Sequence, residues 1–204
     1  MRKNILLIGA LLFLLPSSLL AQETSLGKLY KWLDASKGLQ IQLVYTIGEY
    51  KDQPASYYGY GNKFYFESEL LKSWYDGVDL WVYVAQSGEV NLTTPEPADL
   101  VEINPLLNLN RINSKDYKIT ERADGEYILL KAIPYRSSDI EWIEVKISRD
   151  GLPLSLILKE KGVEENVVVK LRSLKQEAFK GMQQKDFYRF TKNKLPGIMV
   201  IDLR

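Results

Sequence analysis

Few side chains in this sequence could do chemistry. Histidine and cysteine are both absent, which removes the Ser-His-Asp and Cys-His nucleophile systems and any His- or Cys-ligated zinc. Two short motifs remain. Ser25-Leu26-Gly27-Lys28 has the S-x-x-K form of penicillin-interacting enzymes, yet no Lys-Thr-Gly or Ser-Asp-Asn partner follows, and helix surface accounts for it. Asn91-Leu92-Thr93 has the form of an N-glycosylation acceptor and reads as the end of a strand. Carboxylates are plentiful enough for a glycosidase-like acid pair, but none stands in a setting that singles it out. Neither a catalytic residue nor a metal site is assigned, and no cofactor is implied.

Charge excludes another class. Lys and Arg number 27 against 26 Asp and Glu, scattered along the chain, so the 13 Tyr and 4 Trp lack the basic groove that nucleic-acid binding requires. What remains is an apolar and aromatic surplus: Phe64, Phe66, Trp74, Trp81, Tyr83, Tyr127, Trp142 and Phe187. Around Leu80-Trp81-Val82-Tyr83-Val84 both strand faces are apolar, more than a strand with one solvated face requires. A generous core would explain this residue by residue. Taken together, a barrel lined this way can hold a ligand if its helices do not fill it.

The elements that must position these residues are mostly strands. Leu26, Leu29, Trp32 and Leu33 share one side of a helical period, with Thr24 or Ser25 as cap and Gly38 as stop. From Leu39 the period changes to two, with Leu39, Ile41, Leu43, Tyr45 and Ile47 on one face. Further strands are expected at Ala55–Tyr60, Lys63–Ser68, Lys72–Tyr75, Leu80–Ala85, Glu89–Thr93, Tyr117–Arg122, Tyr127–Ile133, Ile140–Ser148, Leu154–Lys159, Val167–Leu174, Phe187–Thr191 and Ile198–Leu203. Asp76-Gly77, Ser87-Gly88, Asp124-Gly125 and Asp150-Gly151 suit tight hairpins, so sequential antiparallel pairing follows. The segment Thr93–Leu109 breaks the pattern: Thr94 is placed to cap, Pro95 to begin a helix, Glu96 and Asp99 to fill its first turn, and Pro105 to divide it into two short pieces. Its apolar residues, Leu100, Ile103, Leu106, Leu107 and Leu109, must be buried somewhere, either as plain packing across a barrel end or as a movable lid.

At the N-terminus, Arg2 and Lys3 precede ILLIGALLFLL, then Pro16, two serines and Ala21. This is the layout of a secretory signal peptide over residues 1–21, too short in its apolar run to span a bilayer, with cleavage expected after Ala21. The mature chain, 22–204, is expected to be one soluble domain. Gln22 stands where a bacterial lipoprotein would carry its lipidated cysteine, so the chain is not expected to be lipidated itself.

The segment SWYDGVDLWVYVAQSGEVNLTTPEPADLVEINPLLNL closely resembles the LolA family of periplasmic lipoprotein carriers. Asp76-Gly77, Leu80-Trp81-Val82-Tyr83 and Glu89-Val90 match that family's order of strand end, aromatic strand and hairpin, followed by a Pro-bearing helical lid. The ending resembles it too, in Phe187, Phe190, Pro196-Gly197 and Val200-Ile201-Asp202. One departure stands out: the family's Arg-Pro on an early strand, whose arginine latches the lid, has no counterpart in Tyr58–Ser68, where Lys63 is the one cation and lacks a guanidinium's rigid fork of donors.

The resemblance implies a mainly β (α+β) fold: an unclosed antiparallel β-barrel, or half-barrel, with an N-terminal helix and a short α-helical lid. It implies a periplasmic chaperone that takes lipoproteins by their acyl chains from an inner-membrane ABC transporter and delivers them to the outer membrane, to an acceptor there or to the membrane itself. A monomer is expected, with no cofactor. The candidate lipid-binding cavity is Leu43, Tyr45, Phe64, Phe66, Trp74, Trp81, Tyr83 and Trp142, and the candidate lid is Leu100, Ile103, Leu106, Leu107 and Leu109. The alternatives are another hydrophobe-binding half-barrel protein, such as a LolB-like acceptor or an envelope-stress sensor, then a secreted hydrolase using paired carboxylates, and a structural or adhesion module with a solid core.

Overall fold

The structure, a computed structural model, describes residues 23–104 and 106–204. The expected signal peptide 1–21, Gln22 and the expected helix break at Pro105 lie outside the described residues. Helix α1 (Ser25–Leu33) begins where Thr24 Oγ1 accepts the Gly27 N–H at 3.1 Å, and its apolar stripe sends Leu29 and Leu33 into the core. It ends well before Gly38. That glycine, at φ 97°, serves the turn into the first strand instead, where a side chain would meet the Ala178 backbone nitrogen at 2.6 Å.

Twelve strands follow: β1 (Leu39–Ile47), β2 (Tyr50–Tyr60), β3 (Lys63–Ser68), β4 (Leu71–Tyr75), β5 (Leu80–Val84), β6 (Glu89–Thr93), β7 (Tyr117–Asp124), β8 (Tyr127–Pro134), β9 (Ile140–Ser148), β10 (Pro153–Glu160), β11 (Val167–Lys175) and β12 (Met199–Asp202). They form one unclosed sheet in the order β12-β6-β5-β4-β3-β2-β1-β11-β10-β9-β8-β7. The fold is a mainly β half-barrel. Hairpins build the two wings, and β1 joins them by pairing with β2 on one side and β11 on the other.

Three expectations fail locally. The segment expected as a strand over Phe187–Thr191 is a 3-10 turn at Lys185–Tyr188, because its aromatics pack as separate anchors on a surface rather than pairing with a neighbour strand. Strand β12 pairs parallel with β6, Met199 opposite Glu89 and Val200 opposite Val90, where sequential hairpins implied antiparallel pairing throughout. The first lid helix begins at Pro97, not Pro95, since the Glu96 N–H is taken by the Asp99 carboxylate at 2.8 Å and Thr94 instead donates to Asp79 at 3.3 Å.

The strand order dictates two long crossings. Strand β6 lies next to the β12 edge and β7 forms the opposite edge, so the chain between them must traverse the sheet, and it does so as α2 (Pro97–Ile103) and α3 (Leu107–Arg111) on the concave face. The chain from β11 to β12 must also traverse the sheet. It takes the convex face, where Phe190 packs with Trp74, Trp81, Val90 and Leu92. Each face of the β3–β6 wing is therefore covered. That explains the doubly apolar β5: Leu80 and Val82 join the concave core, and Trp81 and Tyr83 join the convex cluster.

Candidate functional site

Alternation decides which side chains meet. On the concave face, Leu39, Ile41, Leu43 and Tyr45 of β1 stand beside Tyr57 of β2 and Phe64 and Phe66 of β3 in one buried cluster. The rings are neighbours, Tyr45 with Phe66 at 6.2 Å between centroids, Tyr57 with Phe64 at 6.1 Å, and Phe64 with Tyr75 at 5.5 Å. Polar handles on this wall are neutralised. Tyr45 donates its hydroxyl to Ser68 Oγ at 3.0 Å, and burial pushes the Tyr57 hydroxyl well above the ordinary tyrosine range.

Helices α2 and α3 press their apolar residues onto this wall. Leu106 and Leu109 are buried in the same cluster, and Leu100, Ile103 and Leu107 pack against it half-buried. Beside the lid lies a cavity of about 610 Å³ between α1, β1–β4 and α2–α3, walled by Leu33, Ile41, Phe64, Leu100 and Leu107 and rimmed by Asp34, Lys63 and Asn110. Its size falls within the range that takes small ligands. A second chamber of about 100 Å³ lies deeper, among Leu43, Tyr45, Phe66, Leu71, Ile103 and Asn104. Leu106 borders both. At the rim the Ser36 backbone N–H, at 2.8 Å, and the Ser36 hydroxyl hold the Asp34 carboxyl below its usual range. The Lys63 side chain has no hydrogen-bond or ion-pair partner among the described residues. Nothing polar in the described lid is latched to it, and apolar packing holds the helices down.

Of the eight residues expected to line one cavity, the structure brings together four, Leu43, Tyr45, Phe64 and Phe66. The other four face the opposite way, and their placement is corrected. Trp74 pairs across the ladder with Tyr65 and Trp81, one residue out of phase with Phe64 and Phe66, so all three point to the convex side, as does Tyr83. Trp142 is out of phase with the buried Ile143, Val145 and Ile147, and lies convex beneath Lys131 Nζ at 4.7 Å from its ring centre. Both ends of the Ser25–Lys28 motif are occupied: Ser25 Oγ donates to Glu121 at 2.8 Å and Lys28 Nζ to the Arg149 carbonyl at 2.9 Å.

The model of the family described as outer membrane lipoprotein carrier protein LolA matches residues 50–130, which run from β2 through the lid into β8. Over that stretch the chain is LolA-like. Its fold is shared with the crystal structure of an uncharacterized conserved protein from Thermus thermophilus, at 17% identity and a TM-score of 0.55 over 89% of this chain and 98% of that one. The Pseudomonas aeruginosa MucA/MucB complex is more distant, at 12% identity and a TM-score of 0.42 over 78% of this chain and 60% of that one. A structure of MucB stands at 14% and 0.43 over 80% and 62%. Among curated proteins, none matches the chain.

What sequence reasoning missed in this LolA-like chain is the convex crossing. Phe179 and Phe187 cluster edge-on with Tyr58, Phe187 also with Tyr65, and Lys194 Nζ donates to the carbonyls of Asp186, Phe187 and Arg189 at 2.7, 3.0 and 2.6 Å, tying the segment to itself. The doubly apolar β5 was the available signal. Read as cavity lining, it is in fact a strand covered on both sides.

Proposed function

We propose that this LolA-like chain is a periplasmic carrier that shields the acyl chains of lipoproteins on their way from the inner to the outer membrane. One observation carries the reading: an apolar concave wall, Leu43, Tyr45, Phe64 and Phe66, is closed by two short helices through leucine packing, with a cavity of about 610 Å³ at the helices' flank. At about 0.8 kcal/mol per methylene, a ~16-carbon acyl chain costs on the order of 12 kcal/mol to leave in water. Displacing Leu106 and Leu107 from the wall would exchange apolar lid contacts for apolar chain contacts at small net cost, which is what reversible loading needs. In this reading residues 22–204 act as a single carrier domain and a monomer, loaded by an inner-membrane ABC transporter and emptied to an outer-membrane acceptor. No group catalyses anything, and the energy comes from the transporter.

The test is native mass spectrometry of the full-length gene product recovered from bacterial periplasm. A bound lipoprotein or free acyl lipid supports the carrier. Protein that emerges lipid-free and fails to solubilise a triacylated peptide would mark a solid-core module, and glycan hydrolysis lost on a single Asp or Glu replacement would mark a hydrolase.

A further inference from the structure

The lid carries a buried amide of which only one end has a structural use. Asn104 lies between α2 and α3 and is fully buried. Its Oδ1 accepts the Leu106 N–H at 3.1 Å, which fixes the amide's orientation and leaves Nδ2 as the free end. That Nδ2 has no partner among the described residues. A buried donor left unmade costs of the order of 1–3 kcal/mol, a cost that the bond to the Leu106 N–H does not require and that a purely structural lid would not carry. Asn104 lines the deeper chamber, which is otherwise walled by apolar side chains and the Tyr45 ring.

The floor shows the same feature. Ser73 of β4 is fully buried, its Oγ is unpartnered, and it stands opposite Phe66 across the β3–β4 ladder and on the same strand face as Leu71, two residues that line the chamber. Two idle hydrogen-bond donors thus lie in the roof and near the floor of an apolar space of about 100 Å³, room for about three waters or one small polar group. Both can donate, and an acceptor without acidic protons, set on an apolar body, satisfies them best.

We propose that Asn104, with Ser73 beneath it, is a carbonyl subsite: the amide donates to the carbonyl oxygen of a ligand's acyl ester or amide, while the hydrocarbon chain passes Leu106 into the larger cavity. This rests on the carrier reading and deepens it. The consequence is discrimination. Acyl lipids are held by chain and carbonyl together, and because the donor is in the lid's own joint, the bound carbonyl helps set where the lid rests.

The test uses the full mature protein with two ligands, a tripalmitoylated cysteinyl peptide and a dipalmitoyl glycerophospholipid, each compared with its ether-linked analogue of equal chain length. Displacement of an apolar fluorescent probe gives the affinities. The wild type should prefer acyl over ether by about tenfold, the worth of one net hydrogen bond in a buried site. Asn104→Leu removes the donor and should bring the preference close to unity while ether affinity holds. Ser73→Ala, which leaves the lid untouched, should narrow it by a smaller factor. A preference confined to the peptide assigns the subsite to lipoprotein acyl groups, and one shared by the phospholipid assigns it to acyl carbonyls in general. Equal binding of acyl and ether forms by the wild type overturns the subsite and leaves the carrier standing. Failure of every ligand to bind overturns the carrier and the subsite with it.

Discussion

Arg189 Nε donates to Asp76 Oδ2 at 2.6 Å, joining the convex crossing to the turn between β4 and β5 across 113 residues of sequence. The carboxylate is all but inaccessible, at 2% side-chain exposure, and its other oxygen accepts the N–H groups of Val78 and Asp79 at 3.1 and 3.0 Å. One buried anion therefore closes a turn and holds down a segment. The Arg189 guanidinium also lies 5.8 Å from the centre of the Trp81 ring, so the ion pair and the convex aromatic cluster share a residue.

Removing that anion should loosen the whole convex layer. Burial raises the Asp76 carboxyl, but the backbone N–H of Asp79, the Arg189 guanidinium and the N–H of Val78 outweigh it and hold it below the usual carboxylate value. A depressed folded-state value means that the stabilisation is present above the unfolded value of about 3.9 and is lost as pH falls through the folded one. Asp76→Ala should cost about 2–3 kcal/mol at pH 7, less than a fully buried pair because Arg189 is partly exposed. Urea midpoints measured from pH 7 to pH 3 should fall more steeply for the wild type than for the variant. Parallel curves would mean that Asp76 contributes nothing to acid sensitivity.

The two faces of the sheet explain how far the sequence could be read. Period-two alternation and the Asp-Gly and Ser-Gly turns located nearly every strand, because hairpin geometry is local: Lys63–Ser68, Glu89–Thr93 and Ile140–Ser148 fall where the alternation places them. Alternation says that Phe64 and Trp74 belong to opposite phases only once the register of β3 against β4 is known, and that register is a property of the turn at Ser68–Leu71, where the Ser68 hydroxyl accepts the Leu71 N–H. Choosing residues by aromatic size alone therefore mixed Phe64 and Phe66 with Trp74 and Trp81. The Arg189–Asp76 pair had no local signature at all. The parallel seat of β12 was likewise unreadable, since nothing in Met199–Asp202 distinguishes pairing with β6 from pairing with another edge.

Trp81 separates core from cavity. It is buried in the convex cluster beside Trp74, Leu92 and Phe190, away from the concave wall. Trp81→Ala should cost about 3–5 kcal/mol of stability, the usual loss for a large buried aromatic, yet leave apolar-probe affinity of the folded fraction within a factor of about two. Leu107→Trp should do the reverse, filling the larger cavity from a half-buried lid position and lowering probe affinity several-fold with little change in unfolding midpoint. Probe titration alongside thermal denaturation of both variants checks the contrast, and loss of probe affinity by folded Trp81→Ala would return that residue to the cavity.

If the α2–α3 segment must move for loading, tethering it should block loading. Asn62 and Asn110 both line the larger cavity, one from the β2–β3 turn and one from α3, and the cysteine-free chain makes a double cysteine variant there uniquely addressable. Joined by a reducible bismaleimide linker, Asn62→Cys with Asn110→Cys should stop uptake of a triacylated peptide and recover it on reduction. Undiminished uptake in the tethered state would show that the lid does not gate the cavity.

Lys63 decides how the lid is held. It is the one cation in Tyr58–Ser68, where no arginine is available to latch the lid, and its side chain has no partner among the described residues, while Leu106 and Leu109 are buried beneath the helices. Hydrogen bonds to a charged donor are worth about 1.5–3 kcal/mol each, so a lid lacking a pair of them would open more often by roughly two to four powers of ten. The ligand-free protein should therefore bind an apolar fluorescent probe without help from a transporter. Lys63→Ala should change the affinity by less than about twofold, because the lysine holds nothing shut, whereas Leu109→Ala should raise the rate of probe entry by removing an apolar anchor. Stopped-flow probe binding to the three proteins distinguishes the closures: negligible binding in the wild type that appears only in Lys63→Ala would make the lysine the latch after all.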